Sequence, residues 1–144
     1  MKRLFFITAI TVAAVSCKKS SPVTEGCSVN AGNIAGKYTI SSIIYRSSST
    51  DAPTDIFSTM IECEKDDSYE LKTDGTVVIS KETMDCGTPP PPGTPATWAL
   101  DKNNTVLILG ASLDIQSFDC RKLVVVEKNV MADGDQKTTT YTKQ

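Results

Sequence analysis

The chain has 144 residues, 40% of them apolar, and a formal net charge of −2. That length suits a single domain, and the near-balanced charge leaves no basic footprint for nucleic acid. Histidine is absent, which removes the commonest general base and the commonest metal ligand together, so neither an enzyme nor a cofactor is expected.

The first element is a short basic head, Lys2 and Arg3, followed by a mostly apolar run from Leu4 to Val15. The run is too short to cross a bilayer, which takes ~20 helical residues. No acidic residue precedes Glu25. A basic head, a short apolar stretch and small residues before a cut describe a secretory signal peptide, here residues 1–16. The cut site, Ala14-Val15-Ser16-Cys17, resembles the lipobox of bacterial lipoproteins. The resemblance implies cleavage before Cys17, a diacylglyceryl group on its sulfur, and a further fatty-acyl chain such as palmitate on its amine. Two or more acyl chains give a lasting membrane anchor. Lys18 stands where an aspartate would retain some lipoproteins in the inner membrane, which implies the outer membrane. Lys18-Lys19-Ser20-Ser21 lacks the acidic residues that mark surface lipoproteins in some bacteria, which favours the periplasmic face over the cell surface. Residues 17–33, rich in Ser, Gly, Asn and Lys, read as the lipidated cysteine and a flexible tether.

Residues 34–144 read as strand after strand. Ile34 to Tyr45 predicts the first, with Tyr38, Ile40, Ser42 and Ile44 on one face. Residues 47–55 are a polar loop, and 55–63 read equally as a short helix or a strand. "SYELKTDGTVVIS" alternates on both sides of Asp74-Gly75, which predicts a tight hairpin with positive φ at both turn positions. "GTPPPPGTP" (87–95) predicts a stiff extended loop. "ATWAL" and "TVLILG" form a second hairpin around Asp101 to Asn104. Leu113–Phe118, Cys120–Glu127 and a Thr-rich "KTTTYTK" complete the series, with Thr139 and Tyr141 at alternate positions. About eight short strands joined by short turns argue an all-β antiparallel meander, closed as an up-and-down barrel or stacked as a β-sandwich.

This layout resembles the lipocalin-like domain found in many bacterial lipoproteins. The resemblance spans residues 36–143. It rests on "GKYTISSI", with Tyr38 where the family has Trp, on "CEKDDSYELKTDGTVVI", on Cys86, and on "TWAL", "NNTVLILG" and "LDIQSFDCRKLVVV". It implies an eight-stranded barrel and supplies no catalytic motif.

With Cys17 lipidated, Cys27, Cys63, Cys86 and Cys120 remain. Four cysteines in an oxidising compartment imply two disulfides, with three possible connectivities. In a hairpin centred on Asp74-Gly75, Cys63 and Cys86 stand opposite each other. Cys27 and Cys120 then pair by elimination. A metal site is disfavoured by the lack of CxxC and of His.

Glu62, Glu64, Asp66, Asp67, Glu70 and Asp74 crowd one stretch. Carboxylates in number suit calcium, but the spacing is not that of an EF-hand and lysines are interspersed, so a solvated rim is expected. The Ser47–Ser49 and Thr138–Thr140 runs lack a base to activate a nucleophile. Tyr38, Ile40, Tyr69, Leu71 and Trp98 should point inward, either lining a ligand pocket or filling a small barrel's core. Two functions follow from those alternatives. One is an anchored barrel that binds a small hydrophobic or amphipathic ligand. The other is a filled barrel that serves as a structural or protein-interaction subunit of the cell envelope.

Overall fold

The computed structural model describes residues 27–81 and 96–144. The expected signal peptide, Cys17, most of the expected tether, Cys86 and the Pro-rich stretch lie outside the described residues.

Nine antiparallel strands form one sheet: β1 (Gly36–Arg46), β2 (Thr54–Asp55), β3 (Ser68–Leu71), β4 (Val77–Ser80), β5 (Trp98–Leu100), β6 (Thr105–Ile108), β7 (Ala111–Phe118), β8 (Lys122–Lys128) and β9 (Gln136–Lys143). Their spatial order is β4-β3-β1-β9-β8-β7-β6-β5, with β2 paired to β1 off this path. Leaving β2 aside, every neighbour in that order is also a neighbour along the chain, except that the first strand pairs with the last. The outer strands then meet. The Val77 amide donates to the Ala96 carbonyl (2.8 Å) and the Trp98 amide to the Gly75 carbonyl (2.8 Å), around a Thr76–Thr97 bridge. The result is an eight-strand up-and-down barrel, nearly closed, and not a sandwich. Closure removes the exposed edges that an open sheet would leave.

Three features depart from the sequence-based expectation. First, a bulge between Ile40 and Ser42 leaves Ser41 unpaired against β9. A bulge shifts the side-chain alternation by one residue. Ile43 and Tyr45 therefore continue the inner face begun by Tyr38 and Ile40, while Ser42 and Ile44 fall on the outer one. Second, the β3–β4 turn is one residue longer than a two-residue hairpin. Ser68 pairs with Ser80 and Leu71 with Val77, the Gly75 amide closes onto the Lys72 carbonyl, and of Asp74 and Gly75 only Gly75 has positive φ, +85°. Third, Cys63 lies on the short helix α2 (Glu62–Lys65), outside the β3–β4 ladder, so hairpin register does not set its partner. Cys63 is disulfide-bonded, and Cys86 lies outside the described residues.

Residues 55–63, ambiguous in sequence, fold as a 3-10 turn (Phe57–Thr59) leading toward α2. A single helical turn, α1 (Ala31–Ile34), precedes β1. It is capped by the Asn30 side chain, which accepts from the Asn33 amide (2.8 Å). α1 drives Ile34, fully buried, into one end of the barrel. The Tyr38 hydroxyl donates to the Ile34 carbonyl (2.5 Å). Lys143 donates to the Asn33 carbonyl (2.8 Å) and stands over the Tyr38 ring. Trp98 donates its indole N–H to the Lys72 carbonyl (2.6 Å). With Leu71, Val77, Leu123, Val106 and Val125 these residues form a packed core that seals this end.

The Cys27–Cys120 disulfide, expected by elimination, is present, with Cα atoms 5.6 Å apart. It ties the start of the described chain to the β7–β8 turn, at the sealed end. The loop it closes spans a sequence separation of 93. On the chain-entropy account, replacing both cysteines by serine should lower unfolding stability by ~2–5 kcal/mol. Urea denaturation of the two forms measures this, and an unchanged midpoint would refute it.

Candidate functional site

The strands run alternately toward and away from the sealed end, so the opposite end gathers the 47–67 connection, the β6–β7 turn and the β8–β9 turn. Inside that open end lies a cavity of about 290 Å³. Its wall is asymmetric. Ile40 and Ile43 from β1, Ile108 from β6, and Leu109, Ala111 and Leu113 on the β7 side supply apolar surface. Lys137, Thr139 and Tyr141, successive inward positions of β9, supply a polar ladder. Tyr69 stands on β3 and Glu127 on β8, beside them. Glu127 and Lys137 form an ion pair of 2.6 Å.

The five residues expected to point inward divide between two places. Ile40 and Tyr69 line the cavity. Tyr38, Leu71 and Trp98 are buried in the packed core beneath it. The void among Tyr38, Tyr69, Leu71, Ile108, Leu123 and Tyr141 is only about 10 Å³, too small to admit more than one water. The barrel is therefore filled at one end and hollow at the other. Tyr141 stands at the junction, with its ring edge-on to both Tyr38 and Tyr69 (centroids 6.4 and 5.9 Å).

Leu109 lines the cavity although it is 51% exposed. It sits at φ +53°, followed by Gly110 at +83°. This is the two-residue hairpin geometry that favours Asn-Gly, and a bulky side chain there is strained. The neighbouring rim is ordered by Asp135, which is 1% exposed. Its carboxylate accepts from the amides of Val130 (2.6 Å), Met131 (2.9 Å) and Ala132 (3.0 Å) and from the Tyr45 hydroxyl (2.8 Å). Burial pushes this carboxyl's pKa up, and those hydrogen bonds outweigh it, leaving it below the ordinary value.

All four tyrosines are held in the neutral form. Burial pushes the Tyr38 phenol up to about 12. Burial raises Tyr69, with a further push from Asp67 and Glu64. Burial also raises Tyr141, helped by Tyr69 and Glu127. The hydrogen bond to Asp135 raises Tyr45. The cavity thus presents neutral phenols at all ordinary pH.

The crowded carboxylates do not converge. Glu62 and Glu64 are on α2, Glu70 is exposed on β3, and Asp74 is in the turn at the far end. Among the described residues no group of three or more His, Cys, Asp or Glu is placed to hold a metal ion.

The sequence signalled Thr139 and Tyr141 as alternate residues of a strand. The expected barrel closure implies that the last strand pairs with the first, and the β1–β9 ladder sets them opposite Ile40 and Ile43. Compared with known proteins, the chain matches no family model, no curated protein and no solved structure.

Two outcomes are expected. Because folding favours the protonated phenols, the stability they lend is complete below the unfolded tyrosine pKa of about 10 and is lost as pH rises through the folded values. Absorbance titration should show tyrosinate appearing only above that pH, together with unfolding. A tyrosine that ionises normally in the folded protein would contradict this. Leu109→Asn should relieve backbone strain and raise stability by up to ~1 kcal/mol, read by thermal unfolding. A loss of stability would show that Leu109 is held by packing.

Proposed function

We propose that the protein is a lipid-anchored, non-enzymatic binding protein that holds one small apolar or amphipathic molecule in the open end of its barrel. The observation that carries the reading is the half-filled interior, a packed floor below a cavity of about 290 Å³. That size is near the lower end of small-molecule pockets, which run roughly 300–1,000 Å³. Isoleucine and leucine side chains on one side, with phenols and a threonine hydroxyl on the other, suit a ligand that has both an apolar body and a polar edge. The lipobox resemblance at Cys17 supports an anchor, and Lys18 supports the periplasmic face of the outer membrane. The absence of histidine and the scatter of the carboxylates favour binding over catalysis.

A second reading, a subunit that contacts another envelope protein, draws support from Ile61, Leu109 and Met131. These are exposed and sit on loops of the open end.

One experiment separates the two. Ala111 lines the cavity and is small, so Ala111→Trp should fill the space with little change in stability. Under the binding reading, uptake of an environment-sensitive fluorescent amphipath should fall at least about tenfold, the worth of roughly 1.4 kcal/mol of lost contact. Trp98→Ala should instead lower stability by ~3–5 kcal/mol, as for other buried aromatic residues. If the unmodified protein takes up no such probe, the binding reading fails and the subunit reading stands.

A further inference from the structure

The two ends of the barrel differ in formal charge: among the described residues the strand ends and turns of the sealed end carry six lysines and arginines against four carboxylates. At the sealed end, Asp74 accepts from the Thr76 amide and hydroxyl (2.9 and 2.6 Å). Asp101 accepts from the amides of Asn103 (2.8 Å) and Thr105 (2.9 Å). Asp119 accepts from the amides of Arg121 (2.9 Å) and Lys122 (2.6 Å). Each acid is turned back onto its own hairpin. The cations of the same turns, Lys72, Lys102, Arg121 and Lys122, are exposed, and among the described residues none forms a salt bridge.

At the open end the acids outnumber the cations. Three of its cations are paired: Lys65 with Glu62 (2.8 Å), Lys137 with Glu127 (2.6 Å), and Lys128, at the open end of β8, with Asp114 of β7 (2.7 Å). Asp51, Asp55, Glu64 and Asp133 are exposed there.

We propose that the sealed end, through Lys72, Lys102, Arg121 and Lys122, docks on the anionic headgroups of a bilayer, so that the cavity opens away from the membrane. Chain geometry supports this surface as the partner, and here the inference rests on the anchor reading. Cys27 is fixed to the sealed end by its bridge to Cys120 and follows Cys17 by ten residues. Ten residues extend at most ~35 Å. An anchor at Cys17 therefore attaches the barrel to the bilayer through this end and not through the open one. Each Lys or Arg near an anionic surface favours contact by roughly fivefold. The attraction fades within a Debye length of about 10 Å, so the open end's acids do not cancel it.

The test is a lysine footprint. Protein purified from its native membrane is placed on phosphatidylcholine vesicles, with or without added phosphatidylglycerol. It is treated with an amine-acylating reagent, and mass spectrometry reads each lysine. Lys72, Lys102 and Lys122 should react at least about threefold more slowly on the anionic vesicles, a contrast within reach of one cation's fivefold preference. Lys65 and Lys128 should be unchanged, and high salt should erase the difference. Arg121→Glu with Lys122→Glu should abolish the protection. Equal rates at both ends on both vesicles would overturn the proposal, as would protection of Lys65 and Lys128 instead. Protection that persists on neutral vesicles with a co-purifying polypeptide would assign the surface to a protein and also overturn it. Intact mass tests the anchor separately. A chain without acyl groups sinks the anchor reading, while the footprint on anionic vesicles still decides the docking surface.

Discussion

β1 and β9 stand at opposite ends of the domain's sequence and pair along most of their length, from Tyr38 opposite Lys143 to Arg46 opposite Gln136. Most other neighbours in the barrel are joined by short turns, β1 and β3 by the 47–67 connection, and such a meander could equally stay open. The β1–β9 ladder turns it into a barrel, and it carries the entropic cost of bringing the chain's ends together. It also sets the interior. The Ser41 bulge in this ladder moves Ile43 and Tyr45 to the inside, and without it the upper half of β1 would present Ser42 and Ile44 there.

Given closure, side-chain size decides which end is full. An eight-stranded barrel is just wide enough for its side chains to fill. At the sealed end Tyr38, Trp98, Leu123 and the plug Ile34 do so. α1, the Lys143 contact with the Asn33 carbonyl and the Cys27–Cys120 bridge then cover them. Toward the open end the inner positions are smaller or lie at the rim: Ala111, Thr139, Ile43 and the ends of Lys137 and Glu127. The alternation that places Tyr141 inside also makes it the lowest wall of the cavity, where its ring touches the packed floor. Hollow and filled regions thus follow from one continuous set of inward positions.

Charge follows the same axis. The sealed end's turns each set a carboxylate against their own amides, as short Asp-led turns do, beside the exposed lysine and arginine that outnumber them. The open end includes the long 47–67 connection, where Asp51, Asp55 and Glu64 lie exposed in a loop, on β2 and on α2 respectively.

Local physics was legible in the sequence. Alternation and turn residues gave the all-β class, the strands around residues 69–79, 98–108, 113–127 and 137–143, and the direction of Tyr38, Ile40, Tyr69, Leu71 and Trp98. These rest on neighbours two to four positions apart, and the chain carries that information directly. Long-range decisions were not legible. The bulge at Ser41 arises from how β1 must fit β9. Residues 62–65 fold as α2 instead of extending β3, which leaves Cys63 outside the ladder. The split of the five inward residues between floor and cavity depends on Ile34 and α1 plugging one end. Pairing partners across some hundred residues are chosen by the total burial that closure achieves, and no local pattern records that sum. The sequence by itself determined strands, turns and one disulfide by elimination, and only the tertiary structure decided which end of the barrel is open.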